Sequence, residues 1–199
     1  DLAALAALYE SNATHKACVD AKVANVVGLG YRFVSTCPDA DGEQLAELTR
    51  LFDACNPEMT FTDVMRTVWT DVETVGNGYL EVTRNGVGEV DGFYHVPGTT
   101  VRVMPDRGGY VQVRGTRRQW FRPLGRPGPE GMGELSELIH FRKYTPQSSY
   151  YGVPDVIAAL PAAAGDKAAR DYNLDFFEHN AVPRMAIIVE GGQLTDELM

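Results

Sequence analysis

Cysteine is scarce in this chain and badly spaced for structural work. Its 199 residues hold three, Cys18, Cys37 and Cys55, odd in number and without a Cys-x-x-Cys pair. That excludes a disulfide framework and a cysteine zinc site, and it fits a reducing compartment. The four histidines, His15, His95, His140 and His179, are far apart, and no pair has the i, i+4 spacing of a helical metal site. His140 stands beside Arg142 and Lys143, which suits either anion contact or a packed imidazole at a strand end. No serine sits in a Gly-x-Ser-x-Gly elbow, and no Cys–His–acid set suggests itself, so the expectation is no enzyme, no cofactor and no metal.

Glycine-rich phosphate loops are missing too. Gly28-Leu-Gly30 lacks the third glycine of a dinucleotide fingerprint and follows a helical pattern, so it reads as a helix end and turn. Gly86-Val-Gly88 reads as a hairpin turn. Asp39 and Asp41 resemble a calcium loop, but the twelfth position from Asp39 is Arg50. The longest weakly polar run, Val156 to Gly165, falls far short of the roughly 20 residues that span a membrane. Neither a signal peptide nor a membrane partner is expected, which leaves the Asn12-Ala13-Thr14 sequon without a secretory context. Helical patterns reach both ends, so the chain reads as a fragment of a longer polypeptide.

What is present suffices for a core: 44% of residues are hydrophobic and 23% charged. A net charge of −9 argues against a freestanding nucleic-acid binder. The charge is uneven, however. From Arg102 to Arg126 seven arginines face one acid, leaving +6 there and −15 on the remainder. Arg114, Arg117, Arg118, Arg122 and Arg126 flank Trp120 and Phe121. They suit a solvated sheet face, a subunit contact on the acidic face of a second copy, or an arginine-aromatic nucleic-acid surface.

Apolar residues recur at three- and four-residue spacing from Leu2 to Val27, with a break near Ser11 to Thr14. "VVGLGYRFV" ends that pattern and predicts a strand. Glu43 to Cys55 and Phe61 to Val75 predict two more helices, the latter capped by Thr60 with Asp63 three residues on. After Gly76 the period drops to two. "NGYLEVTRN", "FYHV", "TTVRVM", "YVQVR", "RQWF" and "ELIHFRKY" then predict an antiparallel β meander. Helices, then strands, then one long helix make an α+β fold.

The long helix follows "YYGVPD". Pro154 suits a first helical turn and Asp155 the positive end of the helix dipole. Seven of the eighteen residues from Asp155 to Tyr172 are alanine, and Ile157, Pro161, Ala164, Ala168 and Tyr172 form a narrow small-residue stripe. Such a helix admits close neighbours but buries little area by itself. Asp171, Asp175 and Glu178 line up at i, i+4, i+7, with Lys167 placed to pair with Asp171.

In order and spacing, "ACVDAKVANVVGLGYRFV", "VETVGNGYLEVTRN", "YHVPGTTVRVM", "LIHFRKYTPQSSYYGVPDVIAAL" and "YNLDFFEHNAVPRMAIIVEGG" resemble the portal proteins of long-tailed bacteriophages and their prophages. The resemblance implies a structural, non-enzymatic subunit of a homo-oligomeric ring of about twelve, at one capsid vertex of the virion and in the bacterial host cytoplasm during assembly. It implies as partners the terminase large subunit, capsid and scaffold proteins, a neck or tail adaptor, and double-stranded DNA passing without sequence specificity. Residues 1–150 would be the wing, 151–180 the first stem helix and 181–199 the start of the clip. On that reading Asp166, Lys167, Arg170, Asp171, Asp175 and Glu178 lie at the DNA channel or between stems. Tyr150, Tyr151, Gly152 and Pro154 form the wing–stem joint, with Gly152 permitting the turn. Substituting Gly152 and Pro154 together is then expected to disturb ring assembly more than folding of the wing.

Overall fold

The computed structural model describes residues 1–37, 42–105, 108–129, 131, 133 and 135–178. The part of the sequence expected to open the clip, 181–199, lies outside the described residues, as do His179, Asp39 and Asp41.

Asn12 divides the first helical run into α1 (Leu2–Ser11) and α2 (Ala13–Val27). It is extended, at φ −110° and ψ 105°. Its N–H bonds the Leu8 carbonyl at 2.9 Å, while its side-chain oxygen accepts from His15 N at 2.9 Å. One residue thus closes α1 and caps α2. The strand expected at "VVGLGYRFV" does not form. Tyr31 and Phe33 are instead spent on packing, their ring centroids 5.6 and 4.9 Å from Phe52 of α3 (Gly42–Asp53). A segment held by side chains of α3 has no sheet edge beside it to complete a ladder.

The fourth helix, α4 (Phe61–Val75), starts where Thr60 Oγ1 accepts from Asp63 N at 3.2 Å and ends at Gly76, left-handed at φ 80°. Its buried valines Val64 and Val68 pack on Leu80, Val82 and Phe93 of the sheet and on Cys55.

All six predicted strands form: β1 (Asn77–Arg84), β2 (Val90–Val96), β3 (Val101–Met104), β4 (Gly109–Arg114), β5 (Arg117–Pro123) and β6 (Glu137–Arg142). They build one sheet in the order β2-β1-β6-β5-β4-β3. The pairs β1–β2 and β3–β4–β5 are antiparallel, as a meander requires. β6 inserts between them, antiparallel to β1 and parallel to β5, so the sheet is mixed. Buried Glu137 helps to pin the insertion, because Arg84 from β1 and Arg122 from β5 both reach its carboxylate. The outer strands β2 and β3 are only residues 97–100 apart in the chain, so the sheet curls until its edges approach. Inside the curl, Tyr79, Val96, Val101, Phe121 and Leu138 draw one side chain each from five strands, and Tyr110 of the sixth packs against them. The outer face carries Leu80, Val82, Phe93, Ile139 and Phe141 against α4. Two faces covered by different partners explain why β1 is buried along most of its length.

The chain forms two compact units, Asp1–Ala158 and a second from Ala159 on, of which residues 159–178 are described. The long helix α5 (Val156–Glu178) begins in the first.

Candidate functional site: the backbone joint ahead of the long helix

The residues of "YYGVPD" meet the end of α4 and the start of β1 inside the first unit. At the centre is Asn77, 1% exposed. Its Nδ2 donates to the carbonyls of Val75 (2.9 Å) and Gly152 (3.0 Å), while its Oδ1 accepts from Gly152 N at 2.8 Å. Those contacts fix which end of the amide is oxygen. His140 Nε2, 3.0 Å from the same Oδ1, therefore carries the proton. The imidazole stacks on Tyr79 with centroids 4.4 Å apart, and burial, aided by the Arg142 charge, pushes its pKa down to about 4. Of the two readings of His140 the packed, neutral imidazole is the one that forms.

Gly152 is a glycine for proximity. A Cβ there would stand 2.2 Å from the Gly76 carbonyl oxygen and 2.5 Å from Lys143 N, and one on Gly76 would meet the Gly152 oxygen at 2.6 Å. Two backbones touch face to face where any side chain would part them. Gly152 is absent from the glycines with positive φ, whereas Gly76 is among them, so close approach and not a left-handed conformation is what calls for glycine at 152. The contact Gly152 makes is internal to the first unit, so a side chain there acts on that unit's own folding as well.

Around the glycines runs a ring of four charges. Lys143 Nζ lies 2.7 Å from Glu73 Oε2 and 2.6 Å from Asp155 Oδ2, and Lys22 Nζ lies 3.2 and 2.5 Å from the same two oxygens. Two of the chain's four lysines are committed here. Glu73 is 8% exposed and Asp155 is 64% exposed, so the inner carboxylate depends on its partners more than the outer one. The lysine hydrogen bonds, Lys143 first, hold the Asp155 carboxyl below the usual carboxylate range. Together these charges tie α2, α4 and the end of β6 to the residue before α5.

Of the expected joint residues, Pro154 is buried, and Tyr151 OH accepts from Val103 N at 2.8 Å, anchoring the segment to β3. Tyr150 is 49% exposed. Helix α5 starts at Val156, two residues later than Pro154 as a first-turn residue implies. The Ile157 and Ala158 amides bond the carbonyls of Pro154 and Asp155, each at 3.2 Å, in a tight opening turn, and the Asp155 side chain serves the lysines.

The candidates on α5 lie together on one helix. Asp166 pairs with Arg170, while Lys167 and Asp171 form no ion pair with each other. Val156 is the one buried residue among the described residues of α5, and Tyr172, Leu174, Phe176 and Phe177 are all exposed, Phe177 at 74%.

The basic segment divides in two. Arg122 is used internally: its Nη2 lies 3.3 Å from Glu137 Oε1, and it donates to the carbonyls of Leu135 and Arg126. Burial would push the Glu137 carboxyl up, but the Arg84 hydrogen bond, the Gly125 N–H and the Arg122 charge outweigh it and hold it below the usual range. Arg114, Arg117 and Arg118 stand exposed on the β4–β5 hairpin, and Arg126 is exposed in the loop that follows β5. Sequence reasoning missed Asn77, Glu73, Lys22 and Asp155 as a set, since Lys22 stands 51 and 133 residues from Glu73 and Asp155, and Asn77 stands 75 from Gly152, which leaves no local signal. An acid on the valine-rich α4 was the one available hint.

A family model described as "Phage portal protein" matches residues 13–199, and the chain belongs to that family. Among curated proteins it is 24% identical to "Uncharacterized protein YqbA" and 24% identical to "Phage-like element PBSX protein XkdE", both of Bacillus subtilis (strain 168). Each alignment covers 90% of this chain but 44% and 45% of the relative, so the chain spans less than half the length of either. Among solved structures it resembles a chain of the virion of a native gene transfer agent particle, with a TM-score of 0.71 and 20% identity over 99% of this chain and 51% of that one. A chain from the neck of an empty particle, computed with C6 symmetry, gives 0.70 and 20% over 97% and 52%. At such identities these likenesses speak to fold.

Proposed function

We propose that this chain is the wing and first stem helix of a portal subunit, a structural protein that forms a closed ring of about twelve copies at the capsid vertex of a phage or prophage virion. Double-stranded DNA would pass through the ring, the terminase motor would dock on one side, and capsid, scaffold and neck or tail proteins would hold the rest. Residues 1–150 form the wing, 151–180 the stem segment and 181–199 the first part of the clip.

The observation that carries this reading is the contrast within α5. Its first turn follows a joint fixed by backbone contact, Asn77 and four charges, yet Val156 is the one buried residue among the described residues of the helix. Helices get most of their stability from tertiary packing, so one this exposed needs other chains, and a ring of copies supplies them. Asp166, Lys167, Arg170, Asp171, Asp175 and Glu178 are proposed at the channel or between stems. An acidic lining there lets a polyanion slide without binding. Family membership over residues 13–199 supports the same reading.

Native mass spectrometry and electron microscopy of the full-length protein test it. A closed ring of about twelve is expected, and a monomer at every concentration and salt would overturn it.

A further inference from the structure

We propose that the β4–β5 hairpin is a docking edge for an extended, acidic segment of a second copy of this chain, a proposal that rests on the ring reading above. The edge is open for a structural reason. β6 begins level with Arg122, so the part of β5 before Arg122 has no strand beside it on that side among the described residues. Arg122 N donates to Ser136 O at 3.0 Å and Leu124 N to Leu138 O at 3.2 Å, both across to the β6 side. By the two-residue period of a strand, the backbone groups of Arg118 and Trp120 point the same way, past the start of β6. An unpaired edge of this kind is a template for one further strand.

Side chains give the edge its charge. Arg114 and Arg117 stand directly opposite one another across the hairpin, an arrangement that costs stability unless an anion lies between or beside them. No ion pair reaches Arg114, Arg117 or Arg118 among the described residues, whereas Arg122 and Arg84 share Glu137. Arg117 and Arg118 line a cleft with Gln119, Arg114 and Gln112; Gln112 is 4% exposed, and its side-chain oxygen accepts from Arg114 Nη2 and Nε and from Thr100 Oγ1, each at 3.0 Å, which leaves Arg117 and Arg118 as the guanidiniums there without an internal acceptor among the described residues. The planar guanidinium donors of Arg117 and Arg118 at this cleft match carboxylates.

The occupant follows from charge and from the backbone. Outside the Arg102–Arg126 segment the chain carries −15, and Glu58, in the loop before α4, and Asp91, on the edge strand β2, are exposed without an ion pair among the described residues. A peptide strand also brings donors for the edge carbonyls, which a nucleic acid's phosphates cannot.

The test uses the full-length protein and compares wild type with Arg117→Glu/Arg118→Glu and with Arg117→Gln/Arg118→Gln. Circular dichroism melts check folding, and native mass spectrometry over a concentration and salt series reads assembly. The charge reversal should raise the concentration needed for assembly by about tenfold or more, equivalent to roughly 1.4 kcal/mol. The glutamine pair should fall between, and it decides the matter if the reversal fails to fold. Rings from wild type and equal rings from the variants overturn the docking edge and leave the portal reading standing. A monomeric wild type overturns both. Unchanged assembly with loss of duplex-DNA binding, read by fluorescence anisotropy, assigns the surface to nucleic acid and overturns the proposal.

Discussion

The first turn of α5 and the rest of that helix obey opposite rules. At the turn, backbone touches backbone, an asparagine uses all its hydrogen-bonding capacity, and four charges alternate around a buried glutamate. From Ala159 on, no described residue is buried, and aromatic rings face outward. A stretch fixed from within its own unit needs no partner, whereas one that exposes Tyr172, Leu174, Phe176 and Phe177 does. The internal interactions of the chain are thus gathered where the helix starts, and the ring proposed above would cover the rest of its length.

The comparison breaks most sharply at Gly152. Gly152→Val puts side-chain atoms where the Gly76 carbonyl stands, and it should cost the first unit about 4 kcal/mol or more, read by urea unfolding. Phe121→Ala, which empties the inside of the curled sheet, should cost about 3–5 kcal/mol by the same measurement and leave the helical signal of α5 no worse than that of α4. Asn77→Ala leaves Gly152 and His140 without their partner and should cost about 1–3 kcal/mol.

Both the fold and the joint were only partly legible in the sequence. Period-two runs located all six strands, and the cap at Thr60 and the break near Ser11 to Thr14 follow local chemistry that a sequence carries openly. The insertion of β6 between β1 and β5 was not readable, because it depends on Glu137 meeting two arginines from distant strands. "YRFV" misled because β-prone residues serve equally well as rings packed on a helix. At the joint, Gly152 and Pro154 were visible as local stiffeners. Their purpose was not, since the surfaces they touch come from α4 and β6. The exposed small-residue stripe of α5 was legible because exposure needs no distant partner.

Two smaller effects sharpen the contrast. His140 is held neutral in the fold with a pKa near 4, below its ordinary value of 6.5, so between those values the unfolded chain binds more protons. The first unit should therefore lose stability as pH falls from about 6.5 toward 4, and His140→Gln should flatten that slope in urea unfolding followed across pH. Phe177→Ser should change unfolding of the isolated chain by no more than about 0.5 kcal/mol, since the ring is exposed, while weakening assembly of the full-length protein.

Hydrogen exchange on the full-length protein, compared between dissociated and assembled material, tests the central claim most directly. The account predicts that α4 and β1 are protected in both, and that α5 beyond Ala158 exchanges fast in dissociated subunits and slowly in the assembly. Equal, strong protection of α5 in the dissociated subunit would contradict it.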